Sequence, residues 1–264
     1  MSKSNLSAVE TPMDNTLQSA AITSASSAVE SSVTNKSEQA ENLLRQVARD
    51  YAPAVFSTSL GAEDMVVLDL ILRAGIDIEV FTLDTGRLPP ETYDLLAEVE
   101  RHYQRKLRVY YPPQDALESY VGTHGINAFY DGIELRKACC EVRKVAPLRR
   151  ALAGKRAWVT GLRADQAVTR GGLKHLSYDA GFDLVKISPL ADWSEQEVWA
   201  YIRRHAVPYN ALHDRGYPSI GCAPCTRAVA PGEDVRAGRW WWEAPEHKEC
   251  GLHVVNGRLQ RITS

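Results

Sequence analysis

The five cysteines of this 264-residue chain fall into three groups. Cys139 and Cys140 are neighbours in "KACCEVRK", Cys222 and Cys225 form a Cys-x2-Cys pair in "GCAPCTR", and Cys250 stands alone in "HKECGLH". A Cys-x2-Cys turn can aim two sulfurs at one metal, and four thiolates together suit tetrahedral zinc or an iron–sulfur cluster. Successive residues on a helix lie about 100° apart, so Cys139 and Cys140 do not converge easily on one small ion. A cubane with several corner irons takes both sulfurs more readily. This favours [4Fe–4S], with structural zinc left as the rival. A thioredoxin-like redox pair is a third reading of Cys-x2-Cys, but such pairs normally open a helix early in a small domain.

Cys250 has His247, Lys248 and His253 around it. Positive charge lowers a thiol pKa and raises the thiolate fraction, so Cys250 is a candidate nucleophile; the plain alternative is an inert cysteine. Upstream, "RAGRWWWE" holds Arg236 and Arg239, three residues apart and so on one face if helical. Lys144 lies four residues after Cys140, on the same helical face, and Pro147 should kink or restart that helix. Each of these cations could equally be a solvated surface charge.

These residues need a scaffold. Hydrophobic content of 44% and charged content of 24% are ordinary for a globular protein, and a formal charge of -2 gives no global reason to expect nucleic acid. No apolar run reaches about 18 residues, so no membrane span is expected. The odd cysteine count in a large chain without an apolar leader points to a reducing, cytoplasmic setting. Residues 1–38 are rich in Ser, Ala and Thr with little to bury and read as a disordered tail. Then "PAVFSTS", "DIEVFTLD", "LRVYYP", "RAWVTGL" and "DLVKISPL" read as strands. Between them lie helices such as "EDMVVLDLILRAG" and "PPETYDLLAEVERHYQRK", and "SEQEVWAYIRRH" opens on a Ser194/Glu197 capping box. Such alternation argues for an α/β, doubly wound, mostly parallel sheet, which binds ligands beyond the carboxyl ends of its strands. After Val207 the alternation fades into an irregular C-terminal segment, residues 207–253, with residues 254–264 a short tail.

Three of those strand ends are polar. "FSTSLGAED", residues 56–64, is a hydroxyl-rich turn into a helix and can offer backbone N–H groups to an anion, although Glu63 and Asp64 in its first turn compete with a phosphate. "LDTGR", residues 83–87, offers Asp84 to a ribose or catalytic group, and "TGLRADQ", residues 160–166, offers Arg163 as a phosphate or sulfate partner. Each alone is also an ordinary capped turn. Together they support a nucleotide-sized ligand.

The paired cysteine motifs, with "GRWWWE", "KECGLH", "FSTSLGAED" and "LDTG", resemble the bacterial assimilatory adenylyl-sulfate (APS) reductases from about residue 40 to residue 253. The resemblance implies an adenine-nucleotide α-hydrolase-like fold for one reductase domain, residues 39–253. It implies that Cys139, Cys140, Cys222 and Cys225 bind a [4Fe–4S] cluster and that Cys250 attacks the sulfur of adenosine 5′-phosphosulfate. AMP would leave, and thioredoxin or a similar dithiol protein would release sulfite from the Cys250 S-sulfonate. Lys144, Arg236, Arg239 and His253 match positions that contact the phosphosulfate; Ser57, Ser59, Leu83, Gly161 and Arg163 match the nucleotide-binding strand ends. Plant relatives carry a fused thioredoxin-like domain, so here a separate reductant is implied; further copies of the chain are an optional partner. The sister enzymes that act on 3′-phosphorylated APS lack the four cluster cysteines, which makes APS the expected substrate. A tRNA-thiolating pyrophosphatase of related fold fits less well, because its loop would be richer in Gly. A zinc-stabilised sensor or binding module would leave Cys250 unexplained.

Overall fold

The computed structural model describes residues 13–166 and 172–244. Its centre is a six-stranded sheet of β1 (Ala54–Thr58), β2 (Glu79–Leu83), β3 (Arg108–Tyr110), β4 (Ala157–Val159), β5 (Leu176–Asp179) and β6 (Leu184–Ile187). The spatial order is β3-β2-β1-β4-β6-β5. All neighbours pair in parallel except β5, which runs antiparallel to β6 at the edge. From β1 the chain builds outward to β3, then returns to lay β4 on the other side of β1. That reversal leaves a crevice at the carboxyl ends of β1 and β4, where open α/β sheets hold their ligands.

Both faces of the sheet are covered, which is why β1 opens on the apolar run Ala54–Phe56 and β4 is apolar throughout. Alternate residues serve opposite layers. Val55 pairs with Trp158 and both face a core closed by Leu148, Ala151 and Leu152 of α6 (Ala146–Leu152). One residue on, Phe56 pairs with Val159, and both face a larger core. That core is closed by α2 (Ala62–Arg73), by α7 (Glu195–His205) and by α1 (Met13–Asp50). The expected capping box of α7 is present, with Ser194 and Glu197 reciprocally bonded. α3 (Pro90–Tyr103) starts on its prolines, as expected. α4 (Gln114–His124) and the polar edge strand β5 carry no strong periodicity and were not foreseen.

The stretch read from composition as a tail to residue 38 is helical from Met13 onward, a correction to that reading. Val33, Ala40, Leu44 and Val47 are buried along one stripe of α1. Such a stripe needs few apolar residues, only correctly spaced ones. Ser32 and Lys36 also bond the Glu197 carboxylate, Lys36 at 2.9 Å. Burial opposes the charge on Glu197, yet these donors and the Ser194 N–H hold its pKa at about 2. Among the described residues no helix is long and apolar enough to cross a membrane.

α5 (Ile133–Cys140) ends on the two cysteines. The helical ladder then opens into a π turn, Glu141–Val145, before resuming as α6 with Pro147 in its first turn. Pro147 thus restarts the helix as expected. From the end of α7 to residue 244 the chain runs in turns and short 3-10 pieces, tied to the loop after β2 by bonds such as Ala223 N–H to Arg87 O at 2.8 Å.

Candidate active site

A cleft of about 1090 Å³ opens at the β1/β4 crevice. The nucleotide-site candidates Ser57, Ser59, Leu83, Gly161 and Arg163 all line it, and so do the cations Lys144, Arg236 and Arg239. The turn after β1 is built around Asp64 in the first turn of α2. Its carboxylate accepts the Ser59 N–H at 2.5 Å and the Ser59 hydroxyl at 2.7 Å. Leu60 is held at φ 61 there, an unusual state for a branched residue, and its N–H is taken by Thr58 Oγ1 at 3.0 Å. Burial raises the Asp64 carboxyl to about 6, against the lowering effect of the Ser59 donors. Ser57 Oγ accepts the Trp158 indole N–H at 2.7 Å.

Gly161 brings the end of β4 against this turn. A Cβ there would press on the Asp64 side chain and lie 2.9 Å from its backbone nitrogen. We therefore expect Gly161→Ala to cost about 1–3 kcal/mol and to weaken AMP binding, both readable by urea denaturation and calorimetric titration. Unchanged values in both would show that the contact is slack.

Two strand-end residues act differently from the roles their types suggest. Arg163 is buried and gives Glu63 Oε1 both Nε and Nη2 at 2.9 Å. Its guanidinium is committed to a carboxylate of α2. Asp84 accepts the Gly86 N–H at 2.7 Å and the Tyr93 hydroxyl at 2.9 Å, so it shapes its own turn. Arg236 and Arg239 do not share a helix; turns present them, and Arg239 forms an isolated antiparallel bridge to Thr226. Gly221 packs so closely under the Arg239 guanidinium that a Cβ would displace it.

Cys139, Cys140, Cys222 and Cys225 line one small cavity beside the cleft, together with Arg87, Arg136 and Arg143. Lys144, Arg239 and Trp240 line both spaces. The Cys-x2-Cys pair is shaped by a 3-10 turn with Cys225 N–H bonded to Cys222 O at 2.9 Å. Burial pushes the Cys225 thiol up to about 12, with the neighbouring sulfurs adding to it. For Cys222, burial is outweighed by Lys144, a Thr85 hydroxyl 3.2 Å from its sulfur, and the nearby arginines, and its thiol is lowered. The described cysteines form no disulfide. Among the described residues no three His, Cys, Asp or Glu side chains meet at one metal position. Thr85, Arg143 and Trp240 belong to this site but were not singled out from the sequence. Arg143 could have been, since it follows Cys139 by four residues.

Behind the cavity Arg136 makes a bidentate pair with Glu243, Nε to Oε1 at 2.7 Å and Nη2 to Oε2 at 2.9 Å. Trp240, held at φ 42, stacks near both Arg136 and Arg239, with guanidinium carbons 4.8 Å and 4.9 Å from the ring centre. The candidate nucleophile Cys250 and its neighbour His253 lie outside the described residues.

The family model of the phosphoadenosine phosphosulfate reductase domain matches residues 53–228. The chain belongs to this family. Within it, the adenosine 5′-phosphosulfate reductase of Allochromatium vinosum is 62% identical over 80% of this chain and 82% of its own. The enzyme of the same name from Burkholderia cepacia is 51% identical over 83% of this chain and 88% of its own. Among solved structures, phosphoadenylyl-sulfate reductase from Candida auris, a phosphate complex, superposes with a TM-score of 0.62 at 30% identity, covering 75% of this chain and 96% of that one. The chain is accordingly an oxidoreductase acting on sulfur compounds, on the adenine-nucleotide α-hydrolase-like fold.

Membership in the reductase family gives the charge layout a chemical reading. Sulfur-bearing nucleotides present anionic oxygens at one end, and cations in a sheltered cleft stabilise such charge far better than in water. In this reductase Lys144 and Arg239 line both the cleft and the four-cysteine cavity.

Proposed function

We propose that the chain reduces adenosine 5′-phosphosulfate to sulfite and AMP, with electrons from thioredoxin or a similar dithiol protein. The observation that carries this reading is the wall shared by Lys144 and Arg239, which joins a nucleotide-sized cleft to the four-cysteine cavity. The names of the relatives supply the substrate. In the first step the Cys250 thiolate attacks the sulfur of the phosphosulfate. A sulfur–sulfur bond forms, the sulfur–oxygen bond to phosphate breaks, and AMP leaves with that oxygen. Lys144, Arg236 and Arg239, with His253, offset the repulsion between thiolate and substrate and stabilise the departing phosphate. Ser57, Ser59, Leu83 and Gly161 hold the nucleoside, with Arg163 behind them. One thiolate of the reductant then attacks Cys250 sulfur and expels sulfite, and its partner thiol resolves the mixed disulfide. The dithiol loses two electrons and the sulfur of the substrate gains them.

The donor set of Cys139, Cys140, Cys222 and Cys225 fits a [4Fe–4S] cluster: four soft sulfurs around one cavity, ringed by arginines that offset thiolate charge. A single zinc ion wants four ligands about 2.0–2.3 Å from one point, which suits a neighbouring Cys-Cys pair less well. When bound, the cluster supplies structural order and negative charge behind Lys144; the dithiol supplies both electrons.

The test uses purified holoprotein and sulfur-labelled APS with no reductant. The expected result is one label on Cys250 by mass spectrometry and an equal amount of AMP, with sulfite released only when reduced thioredoxin is added. Label elsewhere, or AMP without label, would sink the reading.

A further inference from the structure

The cleft has two electrically different ends. Lys144 and Arg239 stand at the end shared with the cysteines, whereas the β1 turn carries Glu63 and Asp64 on the first turn of α2. A helix N-terminus ordinarily welcomes phosphate through its free N–H groups and dipole. Here two carboxylates stand against that attraction. The residue best suited to a phosphate at this end, Arg163, is only 5% exposed, and Glu63 takes two of its donors while Trp193 O takes a third at 3.3 Å. The Ser59 N–H and hydroxyl are likewise spent on Asp64.

Resting on the nucleotide reading above, we infer that Glu63, by holding Arg163 and adding its own charge, makes the nucleoside end of the cleft reject a second phosphate on the ribose. Glu63 is thus a specificity-determining residue. A ligand charged at one end and neutral at its nucleoside matches this layout. A nucleotide with a further dianion on the ribose meets like charge, and such juxtaposition discriminates strongly between related ligands. The preference for APS over its 3′-phosphorylated form then resides in this turn, not only in the cysteines.

The experiment compares AMP with adenosine 3′,5′-bisphosphate by calorimetric titration of the holoprotein. The unaltered chain should bind AMP more tightly. Glu63→Gln should narrow the ratio of the two dissociation constants about tenfold, and Glu63→Gln combined with Arg163→Gln should lose that gain, because Arg163 is the cation set free. An unchanged ratio in a folded Glu63→Gln protein that still binds AMP overturns this inference alone; failure of the unaltered chain to bind either nucleotide overturns the nucleotide reading as well. Should the variant not fold, salt decides on the unaltered chain. Repulsion is screened as ionic strength rises, so the gap between the two ligands should narrow. A gap that stays or widens overturns the inference.

Discussion

Serine at position 140 is expected to abolish the brown colour, bound iron and sulfite release that the proposed cluster implies, the last by about 10³-fold or more. Cys140 ends α5, is 9% exposed, and faces the cavity that the other three cysteines share. A hydroxyl of similar size cannot replace a thiolate as an iron ligand, because it stays protonated near neutral pH. The effect reaches the cleft through the wall. Lys144 acts electrostatically on Cys222 and Cys225 and also lines the cleft. With the sulfur-bound charge gone, its position and its hold on a departing phosphate change together. Iron content, the visible spectrum and single-turnover labelling of Cys250 separate the possibilities. A cluster-free variant that still formed the S-sulfonate at the normal rate would show that the cysteines serve only the fold.

Glu243→Gln should lower the stability of the protein by about 3–5 kcal/mol, the usual consequence of removing one partner from a buried pair. Both side chains are nearly inaccessible, at 1% for Arg136 and 4% for Glu243. The variant removes the carboxylate charge from a guanidinium that lies beside Trp240 and also interacts with Cys140. The loss should appear as a lower urea midpoint at constant slope. Replacing both residues with methionine should recover most of it, because a buried pair often does little better than well-packed apolar groups. A loss under about 1 kcal/mol would mean that water reaches the pair. The bridge also ties the Trp240–Glu243 turns to the helix carrying Cys139 and Cys140, so the cavity should loosen with it.

Much of this architecture could be read from residue patterns. Strands such as "PAVFSTS" and "RAWVTGL" are legible because both faces of the sheet are covered, which forces continuous apolar runs. β5 escapes because an edge strand exposes Leu176 and Tyr178 and keeps no apolar face. The part of α1 before residue 39 escapes because Ser and Ala dominate its composition, although Val29 and Val33 there pack on the core. In the site, residue types located the cleft, but their pairings depend on the fold. Nothing in the local sequence around Arg163 shows that Glu63, 100 positions earlier, will claim it. Likewise Arg236 and Arg239 have helical spacing yet sit on turns, because the tight packing of Gly221 and Gly238 organises that segment. Thr85 and Trp240 matter through contacts across long sequence distances, and no spacing rule reports those.

The π turn at Glu141–Val145 fixes something that neither the length nor the composition of its helix records: rotational phase. α6 is keyed to the sheet by Leu148, Ala151 and Leu152, so its orientation is not free. The widened turn absorbs one residue beyond an α-helical count, so everything upstream keeps its phase to that key. Inserting one more residue there would leave a helix of good sequence and an intact sheet. It would also swing Cys139 and Cys140 by about 100° away from the Cys222–Cys225 turn. An insertion invisible to helix propensity would thus be severe for the site, whereas an equal change in length within an exposed loop is one that proteins ordinarily tolerate.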